Sequence, residues 1–417
     1  MKILKPFALL SFIFLVACSG KPEQRNVQKT PAANLQHALT LIDSVEVNGQ
    51  MLYYIWIYAD APAYAHTEAP GEGVTCVDDV GRFMEVLEHG ILVDHRTNLV
   101  PLSKRLVRFL HHMSLPDGRW YNFMWANGEI NRERVNSRPE FSWWAVRGLR
   151  GLASGYTIYK QLGIEPELLG QIKATIHAMD THLDTLLSHY GQFKTDFMGK
   201  QPAWLLNDGA DQTSELLMAL TKLQKTGDFD YGDAIAKLGE GLVASQFHSA
   251  NHPLNGMYFC WNNLWHSWGN NQALALMQAY EITHIQAFRE SVSLWAGHFV
   301  PFIVKNDFPH QIEMQADSSF QMIPYPQIAY GINSSLRGLL AWNQQFGDES
   351  QTVLAEKLFD WFQGGNPAGI RMYDPHSGLC FDGINSADNV NHNSGAESTI
   401  ECLLSIQAYA FVDLTDN

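Results

Sequence analysis

Trp268-Gly269-Asn270-Asn271-Gln272, running into the apolar stretch Ala273 to Tyr280, is a polar turn that opens directly into a helix. Apolar residues at three-to-four spacing mark the helix, and the Gly and Asn cluster marks its start. The same unit occurs five more times. Upstream, Cys76-Val77-Asp78-Asp79-Val80-Gly81-Arg82-Phe83 leads into Met84, Val86 and Leu87, and Ser142-Trp143-Trp144-Ala145-Val146-Arg147-Gly148-Leu149 opens a second helix. Asn207-Asp208-Gly209-Ala210-Asp211-Gln212 leads into Leu216 to Leu223. Downstream, Gln327-Ile328-Ala329-Tyr330-Gly331 leads into Leu336 to Trp342, and Asn393-Ser394-Gly395-Ala396-Glu397 into Ile400 to Ala410. The starts recur at roughly 60 residues, a longer period than that of short solenoid repeats.

Between these units lie more charged, amphipathic helices: Leu102 to His112, Glu165 to Leu187, Tyr231 to Gln246, Gln286 to Phe299 and Thr352 to Phe362. Buried helices alternating with half-solvated ones predict an all-α (α/α)6 barrel of six helical hairpins, an inner ring inside an outer one. Small residues at the inner starts (Gly81, Gly148, Gly269, Gly331, Gly395) let the helices approach closely. Gln50 to Tyr58 is rich in β-formers and reads as a short N-terminal strand. In such a ring the inner-helix starts gather at one mouth, so chemistry is expected there.

Composition narrows the partners. The 417 residues carry a formal charge of −15, which argues against nucleic acid, a ligand that needs a basic stripe. Hydrophobic residues make up 46%, enough for one large core, and the 12 Trp, 15 Tyr and 22 Phe include rings available for stacking on sugars. Cys76, Cys260, Cys380 and Cys402 are dispersed without a CxxC pair, which makes a zinc site unexpected and leaves one or two disulfides open. His111-His112 and His266 have no partner carboxylate at metal-ligand spacing, so neither cofactor nor metal is expected.

The front of the chain reads as an export signal. Met1 to Lys5 is basic, and Phe7 to Val16 is an apolar run too short to span a bilayer. It ends in Leu15-Val16-Ala17-Cys18, which resembles a bacterial lipobox. On this reading residues 1–18 are a lipoprotein signal, Cys18 carries the lipid, 19–34 are a polar tether and 35–417 are the barrel. An ordinary secretory signal is the alternative. Ser19 after the cysteine points to the outer membrane, on its periplasmic or surface face.

Glycosidic cleavage needs a general acid and either a base with water or a nucleophile. The carboxylates at inner-helix starts are Asp78, Asp79, Asp208, Asp211 and Glu397, each also a fair helix cap. Glu397 stands out because it follows a polar lead (Asn389, Asn391, His392, Asn393) and precedes an apolar helix. Trp143, Trp144, Trp261, Trp265 and Trp268 are candidates for stacking on sugar rings, with core packing as the alternative for each. Arg82 and Arg147 suit a carboxylated or sulfated sugar, or else pair with Asp78, Glu140 or Asp211 to hold the mouth. Asn271, Tyr330 and Asn393 complete the candidate substrate-binding set.

Gly364-Gly365-Asn366-Pro367-Ala368-Gly369, followed by Asn393 to Glu397 and an apolar helix, resembles the C-terminal end of family 9 glycoside hydrolases. Asp79-Val80-Gly81-Arg82-Phe83 is similar to the second half of that family's first inner-helix motif. The resemblance implies a six-hairpin glycosidase working by inversion, with Glu397 as general acid, Asp79 as base and Asp78 as a substitute water-positioning group. Cys76 and Ala396 depart from the family pattern. The same architecture also hosts polysaccharide lyases and unsaturated-uronyl hydrolases, for which Asp211, Arg147 and Tyr330 are the relevant groups. A non-catalytic glycan-binding surface lipoprotein is the reading from another class.

Overall fold

The computed structural model describes residues 32–415 apart from 196 and 198; the signal, Cys18 and most of the tether lie outside the described residues. A short helix α1 (Gln36–Thr40) and an antiparallel hairpin, β1 (Ile42–Val47) and β2 (Gln50–Ile55), precede the first inner helix α2 (Val77–Leu92). Inner and outer helices then alternate. Outer α3 (Val100–Met113) leads to inner α4 (Trp143–Leu162); outer α5 (Pro166–His177) and α6 (Asp180–Leu187) lead to inner α7 (Ala210–Thr226). Outer α8 (Gly232–Ala244) is followed by a three-residue strand, β3 (Leu264–His266), and by inner α9 (Gln272–Thr283). Outer α10 (Gln286–Leu294) and α11 (Val300–Lys305), then β4 (Gln311–Met314) and β5 (Phe320–Ile323), lead to inner α12 (Ala329–Phe346). Outer α13 (Glu349–Asp360) and inner α14 (Ala396–Thr415) complete the chain.

The inner helices pack in sequence, α2 on α4, α4 on α7, α7 on α9, α9 on α12 and α12 on α14, and α14 returns to α2. This closed circuit is the (α/α)6 barrel. All six inner helices begin at the six expected turns. Their apolar residues form one continuous core with the inward faces of the outer helices. Among the described residues, no helix is long and apolar enough to cross a membrane.

Three details depart from the sequence reading. The expected outer helix Glu165 to Leu187 breaks between His177 and Asp180, where the Gly118 turn packs against the Ala178 carbonyl. The helix expected to end at Phe299 continues to Lys305 through a π-helical turn, Trp295–Phe299, just before Pro301. Proline has no N–H to give, and its ring crowds the carbonyl four residues earlier; widening the turn accommodates both. The antiparallel sheet in the order β5–β4–β3 was not foreseen, and it pairs His266 with Gln311 and Trp265 with Ile312. Strands of three or four residues are too short for an alternating pattern to register.

Candidate active site

Five of the six inner helices carry their polar residues as a stripe at i, i+3 or i+4, which on a helix is one face. Asp78, Arg82 and Glu85 share a face of α2, Trp143, Arg147 and Arg150 of α4, and Asp211 and Glu215 of α7. Tyr330, Asn333 and Arg337 line α12, and Glu397, Glu401 and Ser405 line α14. These faces meet inside the ring, and their charges pair there.

Arg82 is the hub nearest the mouth. Its side chain is buried, with Nη2 2.7 Å from Asp79 Oδ1 and 3.2 Å from Glu397 Oε2, and Nη1 2.9 Å from Glu401 Oε1. Since Asp79 and Glu397 share one nitrogen, the first and last inner helices bring their carboxylates together. They differ in access: the side chain of Asp79 is 4% exposed and that of Glu397 is 46% exposed. Both Asp79 oxygens are engaged, Oδ2 by the Cys76 thiol at 3.2 Å. Burial pushes the Asp79 carboxyl up, against the pull of Arg82. Burial likewise raises Glu401, again opposed by Arg82.

Asp78 is held differently. Arg147 Nη1 donates to Oδ1 at 2.9 Å and Asn122 Nδ2 to Oδ2 at 3.1 Å, and the side chain keeps 16% exposure. Arg147 Nη2 donates to the Tyr330 hydroxyl at 2.7 Å, which in turn donates to Glu215 Oε1 at 3.0 Å. The Arg147 guanidinium lies 4.5 Å over the Trp143 ring. Deeper still, Glu215 pairs with Arg150, accepts from Asn271 at 2.9 Å, and is held below the usual carboxylate range by the arginines despite burial. Arg150 also pairs with Glu85 at 2.5 Å, and Glu85 with Arg337 at 3.3 Å.

Aromatic rings flank one side of the mouth. Trp143 and Trp268 lie 6.0 Å apart, Trp268 stacks on His266 at 3.7 Å, and Trp261 is 39% exposed next to both. Tyr58, also exposed, stands near the carboxylates; burial and the charges of Glu72, Asp79 and Glu397 raise its hydroxyl.

The network thus gathers Asp78, Asp79, Arg82, Trp143, Arg147, Tyr330, Asn271 and Glu397. The remaining candidates have other roles. Trp144 is core, its Nε1 donating to the Trp120 carbonyl at 2.6 Å, and Trp265 is buried. Asn393 fastens the N-terminal segment, accepting from Ala61 N at 2.9 Å and donating to Asp60 at 2.8 Å. Asp208 is exposed and paired with Lys194 at 2.5 Å. Asp211 is wholly buried and faces His266 Nε2 at 3.0 Å, so His266 does have a partner carboxylate, supplied from far away in the chain. Burial depresses the His266 imidazole, but Cys260 and Asp211 overcome it and lift it to about 10. Cys76, Cys260, Cys380 and Cys402 are all free and buried, and no disulfide joins them.

Sequence reading missed Tyr58, Asn122, Glu215, Asn333 and Glu401. The signal for Glu215 and Glu401 was present: each follows a recognised acid, Asp211 or Glu397, by one helical turn.

The sequence matches no family model and no curated protein. Solved structures resemble it in fold. A sugar epimerase from a ruminal bacterium superposes with TM-score 0.63 at 10% identity, over 92% of this chain and 97% of that one. Cellobiose 2-epimerase from Spirochaeta thermophila gives 0.60 at 12% identity, over 92% and 95%. A family 76 glycoside hydrolase from a bovine Bacteroides thetaiotaomicron strain gives 0.53 at 16%, over 92% and 77%. The (α/α)6 fold is therefore shared with these three enzymes.

Proposed function

We propose that the protein is a carbohydrate-active enzyme, a glycoside hydrolase whose substrate lies across the mouth formed by the inner-helix starts. The observation that carries this is Glu397, a half-exposed carboxyl on the last inner helix, joined through Arg82 to the Asp79 carboxylate on the first. The sugar enzymes that share the fold support the substrate class. Trp143, Trp261 and Trp268 supply rings for pyranose faces.

In the proposed mechanism Glu397 hands a proton to the leaving oxygen, because it is the acid of the cluster with open access. Asp79 has both oxygens occupied and little room for water, so the base role passes to Asp78, which Arg147 and Asn122 hold in place. Asp79 then positions Arg82. Inversion is the outcome proposed for an Asp78 and Glu397 pair with a water between them, which needs a carboxyl separation of about 6.5–9.5 Å. The chain is further proposed to work at the cell envelope, lipid-anchored through Cys18.

The test is a panel of oligo- and polysaccharides incubated with the purified chain lacking residues 1–18, read by reducing ends, ultraviolet absorbance and proton NMR. Glu397→Gln is expected to cut turnover by about 10²–10⁴-fold while sparing oligosaccharide binding. Full activity in that variant refutes the assignment. An unsaturated, ultraviolet-absorbing product marks a lyase instead, loss of absorbance from an unsaturated uronide marks a uronyl hydrolase, and isomer exchange without cleavage marks an epimerase.

A further inference from the structure

Where α7 meets the turn before α9, three side chains of metal-binding chemistry converge outside the Arg82 cluster. Asp211, Cys260 and His266 each offer one ligand atom, all three atoms lie within 4.8 Å of one another, and all three residues are buried. Each is oriented from behind. His266 Nδ1–H donates to the Trp268 carbonyl, which leaves Nε2 as the nitrogen 3.0 Å from Asp211 Oδ2. Asp211 Oδ1 accepts from Gln212 N at 2.6 Å. Cys260 Sγ accepts from His266 N at 3.4 Å and from Asn270 Nδ2 at 3.5 Å, and its thiol donates to the His266 carbonyl at 3.6 Å. Such outer hydrogen bonds are the usual support of metal ligands, which they fix in tautomer and direction.

An imidazole lone pair cannot rest against a carboxylate oxygen; a proton or a metal ion has to stand between them. We propose that Asp211, Cys260 and His266 bind a single zinc-class divalent ion. One nitrogen, one sulfur and one oxygen ligand suit zinc and exclude calcium or magnesium, which take oxygen sets. Zinc bonds of about 2.0–2.3 Å place ligand atoms about 3.3–3.8 Å apart in a tetrahedron, so side-chain shifts of about 1 Å close the set. Binding releases the thiol proton and the Nε2 proton to solvent. The fourth position is left to water, and a cavity of about 250 Å³ lined by Ala210, Cys260 and Trp261 opens beside the set. The ion fastens the Trp261–Trp268 turn to the start of α7, adding to the backbone bond from Ala210 N to the Cys260 carbonyl at 2.7 Å. This goes beyond the sugar reading and does not depend on it, since the readout is the ion itself.

The chain lacking residues 1–18 is stripped with a chelator and titrated with Co²⁺. One equivalent is expected to bind, with the visible bands of a tetrahedral ion and a near-ultraviolet thiolate-to-cobalt band, and Zn²⁺ is expected to displace it. Cys260→Ser is expected to lose the near-ultraviolet band and to bind roughly 100-fold more weakly. Substoichiometric binding, a wild-type spectrum without the thiolate band, or a band that persists in folded Cys260→Ser overturns the proposal. His266 and Asp211 are then a metal-free imidazolium–carboxylate pair. The wild-type spectrum decides the matter even if the variant fails to fold.

Discussion

Arg82 faces three carboxylates from two helices while 3% exposed, so its charge is neutralised only by the cluster it organises. Removing one partner from a buried ion network strands the others, at about 3–5 kcal/mol. Arg82→Met is therefore expected to lose that much stability at neutral pH, read as the urea midpoint. The loss should shrink in acid, because Asp79 and Glu401, already raised by burial, take up protons more readily once their counter-charge is gone. A loss that is constant with pH contradicts this account. At this scale the sequence was informative about which residues matter and silent about who touches whom. Asp78 and Asp79 are adjacent and chemically identical, yet one keeps partial access beside Arg147 and the other is sealed by Arg82 and Cys76. That difference depends on the rotation of α2 against its neighbours, which spacing alone does not contain.

At the scale of elements, the contact between α2 and α4 is the tightest test of the barrel reading. A Cβ on Gly81 would stand 2.3 Å from the Arg147 carbonyl oxygen, and one on Gly151 2.7 Å from Gly81 Cα. Gly81→Ala must push two backbones apart, at about 3 kcal/mol, and it shifts the residue that holds Asp78. Lower stability and lower turnover are expected together. Gly170, on outer helix α5, has nothing within 4 Å of the same added atom; Gly170→Ala is expected to stabilise by about 0.5–1 kcal/mol with turnover unchanged. Comparable thermal midpoints for the two variants would refute the packing argument. The six inner helices were legible because burial on all sides imposes a long apolar pattern after each polar turn. The β3–β5 sheet and the break after His177 were not, since both follow from contacts with distant segments.

Across the whole molecule, the lumen is threaded by a relay of ion pairs and hydrogen bonds from Asp78 through Arg147, the Tyr330 hydroxyl, Glu215, Arg150 and Glu85 to Arg337. Glu85 and Arg337 border a cavity of about 540 Å³ at the far end of the barrel. Burial opposes ionisation of Glu85, but Arg150, Lys222 and Arg337 prevail and hold it at about 2 against an ordinary 4.5. A depressed carboxylate contributes stability above its unfolded pKa and loses it as pH falls through the folded one. Between pH 4.5 and 2 this group accounts for about 3 kcal/mol. Wild type is expected to lose that much more stability across the window than Glu85→Gln, by urea unfolding at each pH; parallel curves would show that Glu85 does not carry the acid limb.

The return of α14 to α2 also sets an order of events during synthesis. Arg82 and Glu397 are 315 positions apart, and Glu401 lies 319 from the same arginine. Until the last inner helix leaves the ribosome, the arc from α2 to α12 has two unmatched edges, and Arg82 lacks two of its three counter-charges. Such long-range closure is slow, and open apolar edges are prone to wrong partners while they wait. The proposed acid Glu397 is therefore also one of the groups that complete the ring, so a chain interrupted before α14 has neither a closed barrel nor an assembled site.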